Sequence, residues 1–229
     1  MSPISFQGFD GTASVTPDSP VVFFWATNET HGMFCQWYTS SFFCDGQKFT
    51  TAEQYMMYRK AETFSDASTA AAILHSPKKS PRQHKAMGRQ VKGFDDEVWA
   101  TAGPDAVVTG NLCKFTQSPA LRAALVGTVG SVLAEASPFD AIWGIGFKEE
   151  FALENRHAWG ANKLGKCLMI VRDIIQHMDN AQGLNKIASA DDIAQVCSKK
   201  DSATGADGTT TEKTPPDAKD DDATADETS

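Results

Sequence analysis

The sequence predicts a helix-rich fold with a few short strands, gathered into one domain. Three observations carry this. The chain has 229 residues and is 41% hydrophobic, enough for one sizeable core. Runs of branched and aromatic residues are short and fall before residue 50. From Thr50 onward, helix-start residues recur, each ahead of a segment that reads as helix.

Taken in order, residues 1–20 are polar and Pro-containing, and read as a flexible arm. Val21 to Ala26, VVFFWA, has the composition of a buried strand. A short strand, a turn at Asp45-Gly46 and a second strand follow, because Asp-Gly is a strong hairpin signal. Thr50 then opens a helix in FTTAEQYMMYRKA, with Thr50 and Glu53 spaced as a capping box. A second helix spans Ala67 to Leu74 with Asp66 or Ser65 as N-cap, and a short third lies around Pro81–Met87. The next begins near Asp95, with Gly103-Pro104 expected to interrupt it before Val107 to Phe115. Pro119 suits a first helical position, and Leu121, Leu125, Val129 and Val132/Leu133 extend an apolar stripe at helical spacing. Ser137 to Gly146, SPFDAIWGIG, breaks the pattern as functional loops do, and a helix follows from about Leu164 to Met178. After Gly183 only Ala190 to Val196 offers a weak helical segment. The expected organisation is an arm over 1–20, a domain over 21–180 and an acidic, mostly disordered tail over 181–229.

Charge and cysteine usage narrow the function. From Ala181 onward there are about 11 acidic and 5 basic residues, so about −6 of the net −8 sits in the tail. The body is near neutral, which argues against a broad nucleic-acid footprint, although Lys78, Lys79, Arg82, Lys85, Arg89 and Lys92 form a local basic cluster. Five cysteines (Cys35, Cys44, Cys113, Cys167 and Cys197) show no CxxC and no zinc spacing, and read as reduced, mostly buried thiols. No metal is expected. No signal peptide and no membrane-length apolar run is apparent, so the expected location is cytoplasmic or nuclear.

The chemistry-bearing residues centre on Glu53 and Lys60. They stand seven residues apart, close to two helical turns, so both fall on one helix face among Tyr55, Met56, Met57 and Tyr58. Such a pair is either a capping carboxylate with a solvated ammonium or the wall of a cleft. Asp140 is either a turn cap or a second carboxylate of the kind that glycosidic cleavage uses. Five tryptophans, among them Trp37, Trp99 and the Gly-flanked Trp143 and Trp159, suggest an aromatic-walled pocket that would admit a flat base. There is no dinucleotide fingerprint, phosphate-binding loop or nucleophile elbow. Arg89 and Lys114 are phosphate candidates on charge alone.

Five segments together resemble the YbiA-like, or NADAR, family. They are FFWAT…HGMFCQWYTSSFFCDGQKFTTAEQYMMYRKA, MGRQVKGFD…W, GNLCKFTQSPALRAALVGT, LAEASPFDAIWGIG and WGANKLGKCLMIVR, in order from about Val21 to Arg172. The resemblance implies one compact, helix-rich α+β domain. It implies N-glycosidic chemistry on phosphorylated riboflavin-pathway intermediates or ADP-ribosylated guanine, without a cofactor or metal. It places the catalytic Glu on Glu53, a Trp on Trp99, an Asp on Asp140 and a Lys on Lys60. Asn162 and Gly165 fall in its Gly-x-Asn-x-Leu-Gly segment, and Trp143-Gly144 in its Asp-x-x-Trp-Gly segment. Two departures stand out. Cys35-Gln36-Trp37 replaces a common Ser-Asn-Phe, leaving Gln36 as a longer amide contact, and Met56-Met57 replaces Phe-Gln. The expected substrate-binding set is Gln36, Trp37, Tyr55, Arg89, Lys114, Trp143, Gly144, Asn162 and Gly165. The expected partner is a small nucleotide or an ADP-ribosylated nucleic acid, with no obligate protein partner. The rival class is a module that binds ADP-ribose or NAD without cleaving it.

Overall fold

A computed structural model describes residues 15–182. The expected tail segment Ala190 to Val196, Cys197 and most of the N-terminal arm lie outside the described residues. Residues 15–20 belong to the expected arm, yet Ser19 N–H donates to the Thr16 carbonyl and Val15 packs on the main core.

Two small strand pairs and seven α-helices make up the described fold. Strand β1 (Val21–Phe24) is the predicted apolar run. Strands β2 (Phe42–Cys44) and β3 (Gln47–Phe49) form the predicted hairpin, pairing Phe42 with Phe49 and Cys44 with Gln47. Its two turn residues both have positive φ, 51° at Asp45 and 75° at Gly46, as a primed turn requires.

Helix α1 (Ala52–Thr63) starts one residue later than expected. Thr51, not Thr50, is the N-cap, and its hydroxyl accepts from Gln54 N–H at 3.1 Å. The Gln54 side-chain oxygen accepts from the Thr50 N–H and hydroxyl, while its amide donates to the Ile73 carbonyl at 3.0 Å. The cap is therefore complete without Glu53, which corrects the expected Thr50–Glu53 capping box.

Helices α2 (Ala67–Leu74) and α3 (Pro81–Gly88) start at the caps Asp66 and Ser80. Gly88 lets α3 lie directly on α1: a Cβ there would come within 2.0 Å of the Met57 sulfur. Buried His84 ties the same helix to the preceding loop through the Ser76 carbonyl at 3.0 Å. Helix α4 (Asp96–Thr116) runs unbroken through Pro104, contrary to the expected interruption. Its second half is buried, so tertiary packing of Val107, Val108, Leu112 and Phe115 outweighs the hydrogen bond that proline forfeits.

Helix α5 (Pro119–Val126) ends before Gly127, and the expected helical stripe does not continue. Val132–Glu135 is strand β4, parallel to β1 with Val21 opposite Val132 and Phe24 opposite Glu135. Gly130, at φ +84°, redirects the chain, and the fully buried Arg172 holds the intervening loop by donating to the carbonyls of Thr128 and Ser131. Arg172 lies on the last helix, α7 (Lys163–Gln182), which follows the short α6 (Glu149–Ala152). Helix α7 covers the core side of the β1–β4 pair with Leu164, Leu168, Val171 and Ile175. The carboxyl ends of β1 and β4 are thus brought together, and the Ser137–Gly146 loop follows directly from β4.

Candidate active site

The Glu53 carboxyl is built into the start of α1 and is 6% exposed. Its backbone N–H donates to the Gln36 carbonyl at 3.0 Å, which docks the 32–37 segment on the helix. That segment is fixed from below. Lys114 donates to the carbonyls of Met33 and Cys35 at 2.7 and 3.2 Å, and Asn111 donates to the Gln36 side-chain oxygen at 2.8 Å. Trp37, the next residue, stays 38% exposed, and its side chain favours the charged form of the Glu53 carboxyl. Burial pushes that carboxyl up to about 7, with Asp140 adding to the rise. Lys85, Trp37 and Arg89 oppose it without winning.

Two more acids share this field. Glu135, at the end of β4, is pushed up to about 8 by burial and then by Asp140 and Glu53, against Lys85. Asp140 follows Pro138-Phe139 in the loop. Its Oδ1 accepts from the N–H groups of Ile142 at 2.9 Å and Trp143 at 2.7 Å, an Asx turn that orients the other oxygen. Among the described residues no group of three His, Cys, Asp or Glu side chains converges as a metal-ion set would. The three carboxyls act on one another through the field.

The Asn162 amide and two glycines determine where Glu135 sits. Asn162, at φ +49°, donates to the Leu133 carbonyl at 2.8 Å and accepts from Glu135 N–H at 3.1 Å, so its amide mimics a neighbouring strand. Gly165 lies against the same strand, where a Cβ would come within 2.1 Å of the Leu133 carbonyl oxygen. Gly144 lets the loop fold back, since a Cβ would meet the carbonyl oxygens of Asp140 and Glu135 at 2.8 and 2.9 Å. Asn162, Gly165 and Gly144 therefore hold the acids in place. Trp143 is half-buried and packs on the main core.

Lys60 and Trp99 form a second cluster further along α1. The Lys60 ammonium lies 3.8 Å from the Phe94 ring centroid and 5.9 Å from that of Trp99. Burial lowers its pKa, with Asp96 opposing and Arg89 adding to the fall. Arg89, exposed at the C-cap of α3, is felt by both Glu53 and Lys60 and so bridges the two clusters.

Three expected contacts lie elsewhere. Tyr55 is fully buried among Phe42 and Phe49, with its hydroxyl donating to Asp45 at 3.2 Å. The aromatic hairpin claims it. Lys114 is 1% exposed and its ammonium is committed to two carbonyls, with burial lowering its pKa to about 7. It braces the 32–37 segment and does not face a ligand. Gln36 is likewise buried, with its side-chain oxygen taken by Asn111. Sequence reasoning missed Glu135 and Lys85. Lys85 was visible within the basic cluster, and Glu135 within LAEASPFD, but only the β1–β4 pairing and the α3–α1 contact bring them to Glu53.

A family model described as the NADAR domain matches residues 23–176. The chain is 37% identical over 164 residues to N-glycosidase R617 of Acanthamoeba polyphaga mimivirus, covering 66% of this chain and 94% of that protein. It is 39% identical over 101 residues to the chloroplastic riboflavin biosynthesis protein PYRR of Zea mays, covering 42% of this chain but 15% of that protein. The NMR structure of the Escherichia coli protein YbiA has the same fold, with a TM-score of 0.59 at 24% identity, covering 76% of this chain and 94% of that one.

Proposed function

This chain belongs to the NADAR family, and on that premise we propose that it is an N-glycosidase that hydrolyses an N-ribosyl bond. The substrate class is ADP-ribosylated guanine or a phosphorylated riboflavin-biosynthesis intermediate. The observation that carries the reading is the buried Glu53 carboxyl, raised to about 7 in one electrostatic field with Asp140 and Glu135. A carboxyl held protonated near neutral pH is a general acid.

In this mechanism Glu53 protonates the leaving nitrogen as the C1′–N bond breaks, and the bond's electron pair stays with the base. Positive charge develops on the sugar ring, where the Asp140 carboxylate stabilises it. Asp140 then takes a proton from the water that attacks C1′. Glu135, a neutral carboxyl, can donate to a sugar oxygen. Lys85 and Arg89 supply the charge for phosphate in place of Lys114. An alternative covalent route uses Lys60, its ammonium destabilised by burial: the neutral amine adds to C1′ of the ring-opened ribose, the amine of the base leaves as the Schiff base forms, and water hydrolyses that imine to free Lys60.

Incubation with ADP-ribosyl-guanosine, ADP-ribosylated DNA and phosphorylated ribosylamino-pyrimidines, read by mass spectrometry for released base, tests the reading. The wild type should release base from at least one, and Glu53→Gln should not. If no substrate is cleaved while calorimetry detects ADP-ribose binding, the chain is a binding module and the enzymatic reading fails.

A further inference from the structure

The Ser137–Gly146 loop displays an apolar surface that the glycosidic mechanism leaves unused. Phe139 is 70% exposed, the most exposed large hydrophobic side chain among the described residues, and Ile142 is 45% exposed. Behind Phe139 stands half-buried Trp25, just past β1, with ring centroids 6.2 Å apart at 52°. Water-exposed aromatic surface of this kind is unfavourable unless something covers it.

The loop is held stiffly. Besides the Asx turn of Asp140, Ala161 N–H donates to the Ala141 carbonyl at 2.7 Å and Lys163 N–H to the Ile142 carbonyl at 3.1 Å. Gly160 N–H donates to the Ile145 carbonyl at 2.9 Å. Phe139 is thus presented on fixed backbone, adjacent in sequence to a carboxylate of the acid cluster. The cations that act on that cluster, Lys85 and Arg89, come from a different element, α3.

We propose that Phe139, backed by Trp25, is the platform on which the leaving heteroaromatic base stacks. The base then lies over the loop, the phosphates reach toward Lys85 and Arg89, and the N-ribosyl bond crosses the carboxyls between. This rests on the N-glycosidase reading and adds to it the substrate's direction. A ring platform recognises any flat base through its π-face. Discrimination between bases then falls to neighbouring groups, while the need for an aromatic leaving group falls to Phe139.

The test uses the Glu53→Gln protein, with guanosine 5′-monophosphate and ribose 5-phosphate as probes and calorimetry as readout. Adding Phe139→Ala should weaken the nucleotide by about tenfold or more, as loss of one aromatic stacking partner does. It should leave ribose 5-phosphate within about twofold, and Phe139→Trp should restore the nucleotide. Circular dichroism of the alanine variant should be unchanged, because the loop's hydrogen bonds use backbone, Ser137 and Asp140 groups and not the Phe139 ring. Equal loss for both probes, or for neither, overturns the platform. So does a parent protein that binds the nucleotide no better than ribose 5-phosphate. Base release by wild-type protein is measured separately, so a failed platform and a failed glycosidase reading give different results.

Discussion

Glu53 and Asp66 are two buried carboxyls at the starts of consecutive helices, 6% and 7% exposed, and they behave in opposite ways. Asp66 is saturated. It accepts from Lys92 N–H at 3.0 Å, from Thr69 N–H and hydroxyl at 3.1 and 2.7 Å, and from the Ser68 hydroxyl at 2.8 Å. These bonds, that from Lys92 first, hold its carboxyl well below the usual range. Glu53 has no comparable set of donors, since Thr51 and Gln54 complete the cap, and burial pushes it up to about 7 against Lys85, Trp37 and Arg89. The positive end of α1 favours the anion by at most about 2 kcal/mol. A rise from the ordinary 4.5 to about 7 corresponds to about 3 kcal/mol the other way. Desolvation wins at Glu53, and hydrogen bonding wins at Asp66. A carboxyl that the fold leaves unsatisfied is one that chemistry can use.

The largest effect should separate the two in activity. Glu53→Gln should lower turnover by at least about 100-fold, as loss of a general acid does, while ADP-ribose binding persists. Asp66→Asn should leave turnover per folded molecule unchanged. A Glu53→Gln protein that keeps more than about a tenth of wild-type turnover in the base-release assay would sink the assignment.

The same comparison predicts opposite pH responses in stability. Because the folded pKa of Glu53 is raised, the unfolded chain releases its proton first as pH rises from about 4.5 toward 7. Wild type loses stability over that window, and the uncharged Glu53→Gln variant does not. The two should unfold at similar denaturant concentrations near pH 4. The variant should lead by up to about 3 kcal/mol at pH 8. In turnover, a protonated acid gives a falling limb as pH rises through about 7, absent from whatever activity the variant retains. Wild type gaining stability across that window would show that Glu53 is not desolvated.

Asn162 offers a finer separation, between holding an acid and being one. Asn162→Gly keeps the positive φ of 49° accessible and removes only the amide. The Leu133 carbonyl and the Glu135 N–H lose their partner, which should cost about 2 kcal/mol in urea unfolding. Displacement of Glu135 should lower turnover by about tenfold. In a Glu135→Gln background the turnover loss should largely vanish, because the amide acts through that residue. Full additivity of the two losses would instead make Asn162 a ligand contact in its own right.

What the sequence made legible was local. The Asp45-Gly46 hairpin, the cap at Asp66, Pro119 at the first position of α5 and the start of α4 depend on neighbours within a few residues, and they stand as expected. Strand β4 did not, because Leu121 to Leu133 keeps a helical apolar spacing, and its strand state comes from pairing with β1 more than a hundred residues earlier. Glu135 and Lys85 were hidden for the same reason: each reaches Glu53 only through that long-range pairing or through α3 lying on α1. The burial of Lys114 and Tyr55 was not legible either, because residue type does not reveal which carbonyls or rings will claim a side chain. Glu53 stood out in the sequence as half of a charged pair and took its catalytic role from the resemblance, and its release from capping appeared only in the geometry of Thr51 and Gln54.

The smallest expected effect lies at Asp66 and closes the comparison from the saturated side. Asn in its place keeps one oxygen to accept from Thr69 N–H and Ser68, but its amide nitrogen cannot accept from Lys92 N–H or the Thr69 hydroxyl. The melting temperature should therefore fall modestly at neutral pH. The sign with pH is the reverse of that at Glu53. With the folded pKa of Asp66 depressed, its stabilisation is fully present above an unfolded value of about 4 and is lost as pH falls through the lower folded value. The gap between wild type and Asp66→Asn should therefore narrow only below about pH 4, in more acid than the window from about 7 down to 4.5 over which the gap between wild type and Glu53→Gln closes. Thermal melts across pH 3 to 8 should show the two variants diverging from wild type in opposite directions at neutral pH, with Glu53→Gln meeting wild type by about pH 4 and Asp66→Asn only beginning to approach it at the acid end. Divergence in the same direction would mean that burial, and not the supply of hydrogen bonds, governs both carboxyls.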